Sequence, residues 1–226
     1  MRYASKRCYE WSANTAYITG LMTSDGCLSK DGRHLDITSV DIEQLKNFQI
    51  GLGRVIKIDV KKNQHPRTAY RIQFSDVAFY DFLKQVGLTP NKSKTIGKLT
   101  IPDEFYADFL RGLYDGDGSS NAYWDKRWKS SYMYYTKFTS ASPEFLDYVR
   151  STNQRLFAMG AGSISKSARV LALNYAKKDG KLLYKKMYYS EYVLCLSRKK
   201  KKLKSFINID NIDKLKPGSC AGGVTR

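Results

Sequence analysis

The chain has 226 residues, with 39 Lys and Arg against 21 Asp and Glu and a formal charge of +18. That length suits one large domain or two small ones with an apolar core and no covalent staples. No apolar run approaches the roughly 20 residues that span a bilayer, and MRYASKRCYEWS lacks the apolar core of an export signal, so an intracellular, non-membrane protein with a polyanionic partner is expected. The 17 Tyr strengthen a nucleic-acid reading, since Tyr meets bases and sugars with its ring and phosphate with its hydroxyl. Cys8, Cys27, Cys195 and Cys220 are scattered and the histidines are His34 and His65, which leaves no zinc spacing and suggests reduced thiols.

In chain order, a helix is expected at about 13–25, then a hairpin through GCLSKDGRHLDITS with its turn at Asp31-Gly32. A second helix starts near Asp41, which suits an N-cap, and runs to Gly51. Strands at 54–60 and 69–75 and a helix at 76–86, stopped by Gly87 and Pro90, complete an αββαββα unit. Residues 88–102 read as a polar linker. The order then repeats: helix 103–117, hairpin 119–140, helix 142–159, strands within 162–197, and a last helix near 198–207 whose KKKK run reads as a solvated start or a phosphate contact. The expected division is a first repeat at 1–87, a second at 103–216 and a disordered tail at 217–226.

The repeat is visible in the residues themselves. AYITGLMTSDGCL (16–28) and DFLRGLYDGDGSS (108–120) share G-L-x-x-x-D-G, and ITSVDIEQLKNF (37–48) echoes FTSASPEFLDYV (138–149). Each motif helix carries small residues four apart, Gly20 with Ser24 and Gly112 with Gly116, so its backbone can approach a partner helix closely. Each ends in Asp-Gly, with the glycine suited to a left-handed C′ position. Two packed motif helices would therefore set Asp25 and Asp117 side by side, against the negative end of each helix dipole and against each other. A divalent cation reverses both penalties, and oxygen donors without a Cys or His cluster point to Mg²⁺. A calcium loop beginning at Asp115 fails, because its sixth position is Ser120 and its twelfth Lys126.

ITGLMTSDG (18–26) and LRGLYDGDG (110–118) resemble the paired motifs of single-chain LAGLIDADG homing endonucleases, and the resemblance extends over about residues 12–210. It departs at the sixth motif position, where Thr23 stands in the first copy and Asp115 in the second. The resemblance implies an α+β fold of two pseudo-symmetric αββαββα repeats, each with a saddle-like antiparallel sheet, acting as a monomer on double-stranded DNA without an obligate protein partner. It implies that Asp25 and Asp117 are the catalytic acids and, with Ser24 and Gly116, the metal site. Mg²⁺ is the expected ion, with Mn²⁺ substituting and Ca²⁺ binding without cleavage. Basic helpers after each third helix correspond to Lys92 or Lys94 and to Lys214 or Lys216, and Ser39 and Ser140 are candidates to position water. Cleavage across the minor groove with short 3′ overhangs is implied. Readings on the same fold are an intron RNA maturase and a DNA-binding regulator.

Strand alternation proposes the DNA face. Lys57, Asp59 and Lys61 share one side of 54–61, opposite Ile56, Ile58 and Val60, and Arg71 and Gln73 oppose Tyr70, Ile72 and Phe74. By the same parity Ser29, Arg33, Asp36, Asn121, Tyr123, Tyr135 and Lys137 are candidate groove contacts.

Overall fold

The computed structural model describes residues 8–61, 68–127, 131–167 and 170–214. The first repeat runs α1 (Ala13–Ser24), β1 (Gly26–Leu28), β2 (His34–Ser39), α2 (Ile42–Leu52), β3 (Asp59–Lys61), β4 (Ala69–Ser75) and α3 (Val77–Val86). The second runs α4 (Tyr106–Asp117), β5 (Ser119–Trp124), β6 (Tyr132–Ser140), α5 (Pro143–Phe157), β7 (Ser163–Ser167), β8 (Val170–Ala176) and α6 (Lys177–Met187), and α7 (Ser197–Lys214) follows. The two antiparallel sheets have matching orders, β1-β2-β4-β3 and β5-β6-β8-β7. This is the mixed α+β, pseudo-symmetric architecture that the sequence implied.

The halves join through α1 and α4. Helix α1 is buried from Thr15 to Thr23, as expected of a helix with protein on every side. A Cβ on Gly20 would lie 2.2 Å from the Phe109 carbonyl oxygen, and one on Gly112 would lie 2.0 Å from that of Tyr17. No side chain fits there, so the small residues read from sequence set the helix separation. Each sheet turns one face to a shared core. Leu35, Ile37, Ile72 and Phe74 point inward from the first, and Tyr134, Phe138, Leu173 and Tyr175 from the second.

Several sequence expectations are corrected. Glycines 26 and 118 do not adopt the left-handed conformation, and Gly118 is extended at φ −77°. They are required by space, because a Cβ would stand 2.6 Å from Met22 Cα or 2.5 Å from the Tyr114 carbonyl oxygen. The strand expected at 54–60 pairs with β4 only over Asp59–Lys61, although Ile56 and Ile58 still pack on the core. The strands expected within 162–197 end at Ala176, and residues 177–187 are the helix α6. Gly180, Leu183 and Met187 form its buried face, a helical spacing hidden among lysines and tyrosines. The third helix of the second repeat is therefore α6, and the lysine-rich helix is an addition. The connection at 88–102, read as a polar linker, also has an apolar side: it buries Leu88, Lys92, Ile96 and Leu99 and contains a 3₁₀ turn, Lys92–Lys94. Asp41 occupies the N-cap position of α2, but its carboxylate makes no cap bond and pairs with Arg198. Residues 217–226 and Cys220 lie outside the described residues, and Cys8, Cys27 and Cys195 are free thiols. Among the described residues no helix is long and apolar enough to cross a membrane.

Candidate active site and nucleic-acid interface

Asp25 caps α1, with its main-chain N–H donating to the Leu21 carbonyl, and Asp117 is the last residue of α4. The bare Cα of Gly116 brings the two helix ends together: a Cβ there would lie 1.8 Å from Ser24 Oγ and 3.0 Å from Asp25 Oδ2. Burial pushes the Asp25 carboxyl upward against the lowering pull of Gln44, Lys199 and Lys92. Asp117 is exposed at the surface, yet the atoms packed behind its carboxylate partly desolvate it. That burial, then the charge of Asp25, pushes it up to about 6.

Two lysines flank the acids. Lys92 is buried on the 3₁₀ turn and its Nζ donates to the Gly26 carbonyl; burial lowers its pKa against the charges of Cys27, Asp117 and Asp25. Lys199 is buried in the first turn of α7. Its Nζ donates to the carbonyls of Tyr114 and Gly116, both at 2.8 Å, and Gly118 at 2.6 Å. All three ammonium protons thus meet the electronegative end of α4. Burial holds Lys199 down to about 8 despite the nearby Asp115, Asp25 and Asp117.

Among the lysines named from sequence, Lys92 lies at the acids and Lys94 is exposed. Lys214 ends α7 with its side chain outside the described residues, as is Lys216 altogether. The lysine at the second acid is instead Lys199. Once α6 is recognised as the third helix, the segment after it leads to 199, not to 214–216. The KKKK run was expected to be a solvated start or a phosphate contact; Lys201 and Lys202 are exposed, while Leu196, Lys199 and Leu203 share a buried face of helical spacing, which is the signal that singles out one lysine of four.

The serines are placed unequally. Ser39 Oγ donates to Gln44 Oε1 at 2.8 Å, and Gln44 Nε2 donates to Asp25 Oδ2 at 2.5 Å, so Ser39 acts on the acid through a glutamine that sequence reading missed. Ser140 Oγ accepts from the Ser142 N–H at 3.1 Å. The third helical residue is Phe145 in α5 and Gln44 in α2, and Asp117 has no hydrogen-bond donor among the described residues. Ser24 Oγ is turned back to the Gly20 and Leu21 carbonyls.

The proposed DNA-facing residues that fall in strands share the outer faces of the sheets, whereas Ser29, Arg33 and Lys57 lie in the segments between strands. On the first, Asp36 lies opposite Gln73, and Asp59 opposite Arg71. Arg71 is fixed between them, Nε 3.2 Å from Asp36 Oδ2 and Nη2 donating to Gln73 Oε1 at 2.6 Å. Lys57 pairs with Asp59 at 2.6 Å, Lys61 Nζ donates to Thr38 at 3.4 Å, and Arg33 is exposed in the turn. Ser29 directs its carbonyl to the Tyr80 hydroxyl. On the second sheet Asn121 lies opposite Tyr135. The rings of Tyr123 and Tyr135 stack with centroids 6.2 Å apart. Lys137 lies opposite Ser119 and Asn174, and Asn174 is buried there with its amide donating to the Ser163 and Ala172 carbonyls and to Ser165 Oγ.

No protein-family model matches the chain, and no curated protein matches it. Solved structures do share its fold. LAGLIDADG meganuclease I-AabMI bound to uncleaved DNA aligns at TM-score 0.60 and 16% identity, over 88% of this chain and 91% of that one. Homing endonuclease I-WcaI bound to its DNA recognition sequence aligns at 0.61 and 15%, over 85% and 88%. Full-length DUF199/WhiA from Thermatoga maritima aligns at 0.61 and 14%, over 94% of this chain but only 65% of that one. At these identities the likeness is one of fold, and that fold serves proteins of both names.

Proposed function

We propose that this chain is a site-specific double-strand DNA endonuclease that hydrolyses one phosphodiester in each strand. The observation that carries the reading is the paired acids: Asp25 and Asp117 are delivered together by two glycine-locked helices, with a buried lysine beside each. Folding alone does not favour that arrangement, since desolvation raises both carboxyls. The regulator reading draws on the shared fold and on no feature of the site. Neighbours solved on DNA support DNA as the partner.

The donors fit a hard divalent cation. Two desolvated carboxylates offer oxygen ligands, and one has no competing donor. Among the described residues no group of three or more His, Cys, Asp and Glu gathers, so an ion here would be held by one or two carboxylates and completed by water and phosphate oxygens, the habit of Mg²⁺. When bound, Mg²⁺ supplies charge neutralisation at the phosphate and a more acidic water. Asp25 and Asp117 would hold and orient it, and Gln44 fixes the Asp25 rotamer. Lys92 and Lys199 put positive charge beside the two acids, where it would offset that of a bound phosphate.

The test is cleavage of a randomised duplex library in Mg²⁺ at low salt. Recovery of one long, asymmetric site cut in both strands is expected, with affinity falling at a log–log slope of about −0.9 per neutralised phosphate. Binding without any cleavage would return the regulator reading, and preference for structured intron RNA the maturase one.

A further inference from the structure

The sixth motif position is Thr23 in one helix and Asp115 in the other, and their surroundings differ. Thr23 Oγ1 donates back to the Thr19 carbonyl within α1, at 2.8 Å. Asp115 is buried and reaches outside its helix: its Oδ2 accepts from the Tyr17 hydroxyl at 2.9 Å and from the Leu196 main-chain N–H at 2.6 Å. Its Oδ1 has no hydrogen-bond partner among the described residues. A buried carboxylate satisfied on one oxygen costs stability relative to an apolar side chain of similar size, so packing alone does not explain it.

Leu196 is where α7 is set. Its carbonyl accepts from the N–H of Lys199 at 2.9 Å and of Lys200 at 3.2 Å, so the position of Leu196 fixes the first turn that carries Lys199. The connection leading to it is held along its length. One turn before Asp115, Arg111 donates through Nε to the Leu194 carbonyl at 2.7 Å and through Nη1 to that of Met187 at 2.9 Å. Asn47 of α2 donates to the Cys195 carbonyl at 2.8 Å, and Arg198 grips Asp41. The first repeat needs no such anchor. Lys92 follows α3 after the short connection 87–91, whereas Lys199 follows α6 after the longer 188–198.

We propose that Asp115 is a positioning residue for the second lysine: by holding the Leu196 N–H it fixes the start of α7 and places the Lys199 ammonium on the carbonyls at the end of α4, beside Asp117. The departure of the two motif copies at this position then has a cause, since only the repeat with the long connection carries the acid. The inference rests on Lys199 serving the proposed cleavage site.

The experiment combines a kinetic cycle with a readout independent of activity. Asp115→Ala, Lys199→Ala and the double variant are compared on a duplex recovered from the library. Cleavage at saturating DNA should fall roughly tenfold in Asp115→Ala with affinity unchanged, and the two substitutions should be far from additive. Asp115→Asn, which keeps an acceptor for both donors, should recover most of the loss. In parallel, limiting acetic anhydride followed by peptide mass spectrometry should find Lys199 protected in the wild type and in Asp115→Asn, and acetylated in Asp115→Ala. If Asp115→Ala does not fold, Asp115→Ser, too short to reach Leu196, is read in its place. Additive losses, or a Lys199 that stays protected when Asp115 is removed, would overturn the proposal. If the wild type cuts no duplex, the cleavage reading falls while the acetylation pattern still decides whether Asp115 positions Lys199.

Discussion

The two repeats present the same acid at the same helix end, yet they surround it differently. Asp25 accepts from Gln44, which Ser39 in turn orients. Asp117 faces α5, where Phe145 stands at the matching place, and it rises to about 6. The first lysine comes from a 3₁₀ turn after a short connection, the second from an added helix after a strapped one. The sheets diverge too, with a charged network around Arg71 on one outer face and Tyr123, Tyr135 and Asn121 on the other. The glycine-locked axis fixes where the acids go, and the surroundings of each acid vary around it.

The comparison can be broken first at that axis. Gly112→Ala drives a Cβ into the Tyr17 carbonyl of the opposing backbone, which cannot rotate away, so urea denaturation should show a loss of about 3 kcal/mol or more. A loss below about 0.5 kcal/mol would mean the helices are not locked together there.

A smaller effect separates the sheets. Arg71 is held between Asp36 and Gln73; if the proposed DNA face reads a guanine edge through it, Arg71→Ala should cost about 1–3 kcal/mol of discrimination at a single base position. Lys137→Ala on the second sheet should weaken all duplexes alike. Competition binding against single-base variants of the selected site measures both, and uniform weakening by Arg71→Ala would remove the distinction.

The acids themselves give a pH signature. Asp115 and Asp117, both raised to about 6, contribute stability that is complete below the ordinary carboxylate range and is lost as pH rises through 6. Carboxyls held low, such as Asp31 at about 2, are ionised in both folded and unfolded chains by pH 5 and add no slope above it. Metal-free protein should therefore be less stable at pH 7 than at pH 5 by about 1–2 kcal/mol, a figure discounted for the exposure of Asp117, and Asp117→Asn should flatten the difference. Thermal melts in chelator check this, and a higher melting point at pH 7 would contradict it. The smallest effect concerns Gln44: Gln44→Leu removes a lowering contact from Asp25, so its carboxyl titration, followed by carbon NMR, should move up toward that of Asp117.

Much of this was legible in the sequence, for a physical reason. Small residues four apart and a terminal Asp-Gly are local patterns, and Gly20, Gly112, Asp25 and Asp117 stand where those patterns place them. Strand parity put Arg71, Gln73, Asn121 and Tyr135 on outer faces because alternation is a backbone property. What escaped depends on tertiary partners. Lys199 is chemically identical to its three neighbours, and only the packing of α7 buries it. Gln44 is distant in sequence from the acid it touches. Helix α6 was mistaken for strand because its buried Gly180, Leu183 and Met187 are thinly spread among lysines and tyrosines.

The most direct test of the paired site is strand-resolved cleavage of the selected duplex, each strand labelled separately, by the wild type, Asp25→Asn and Asp117→Asn. The wild type should cut both strands, and each variant should lose the double-strand break, leaving at most a nick. Either variant cutting both strands at the wild-type rate would contradict the claim that the two acids form one cleavage site.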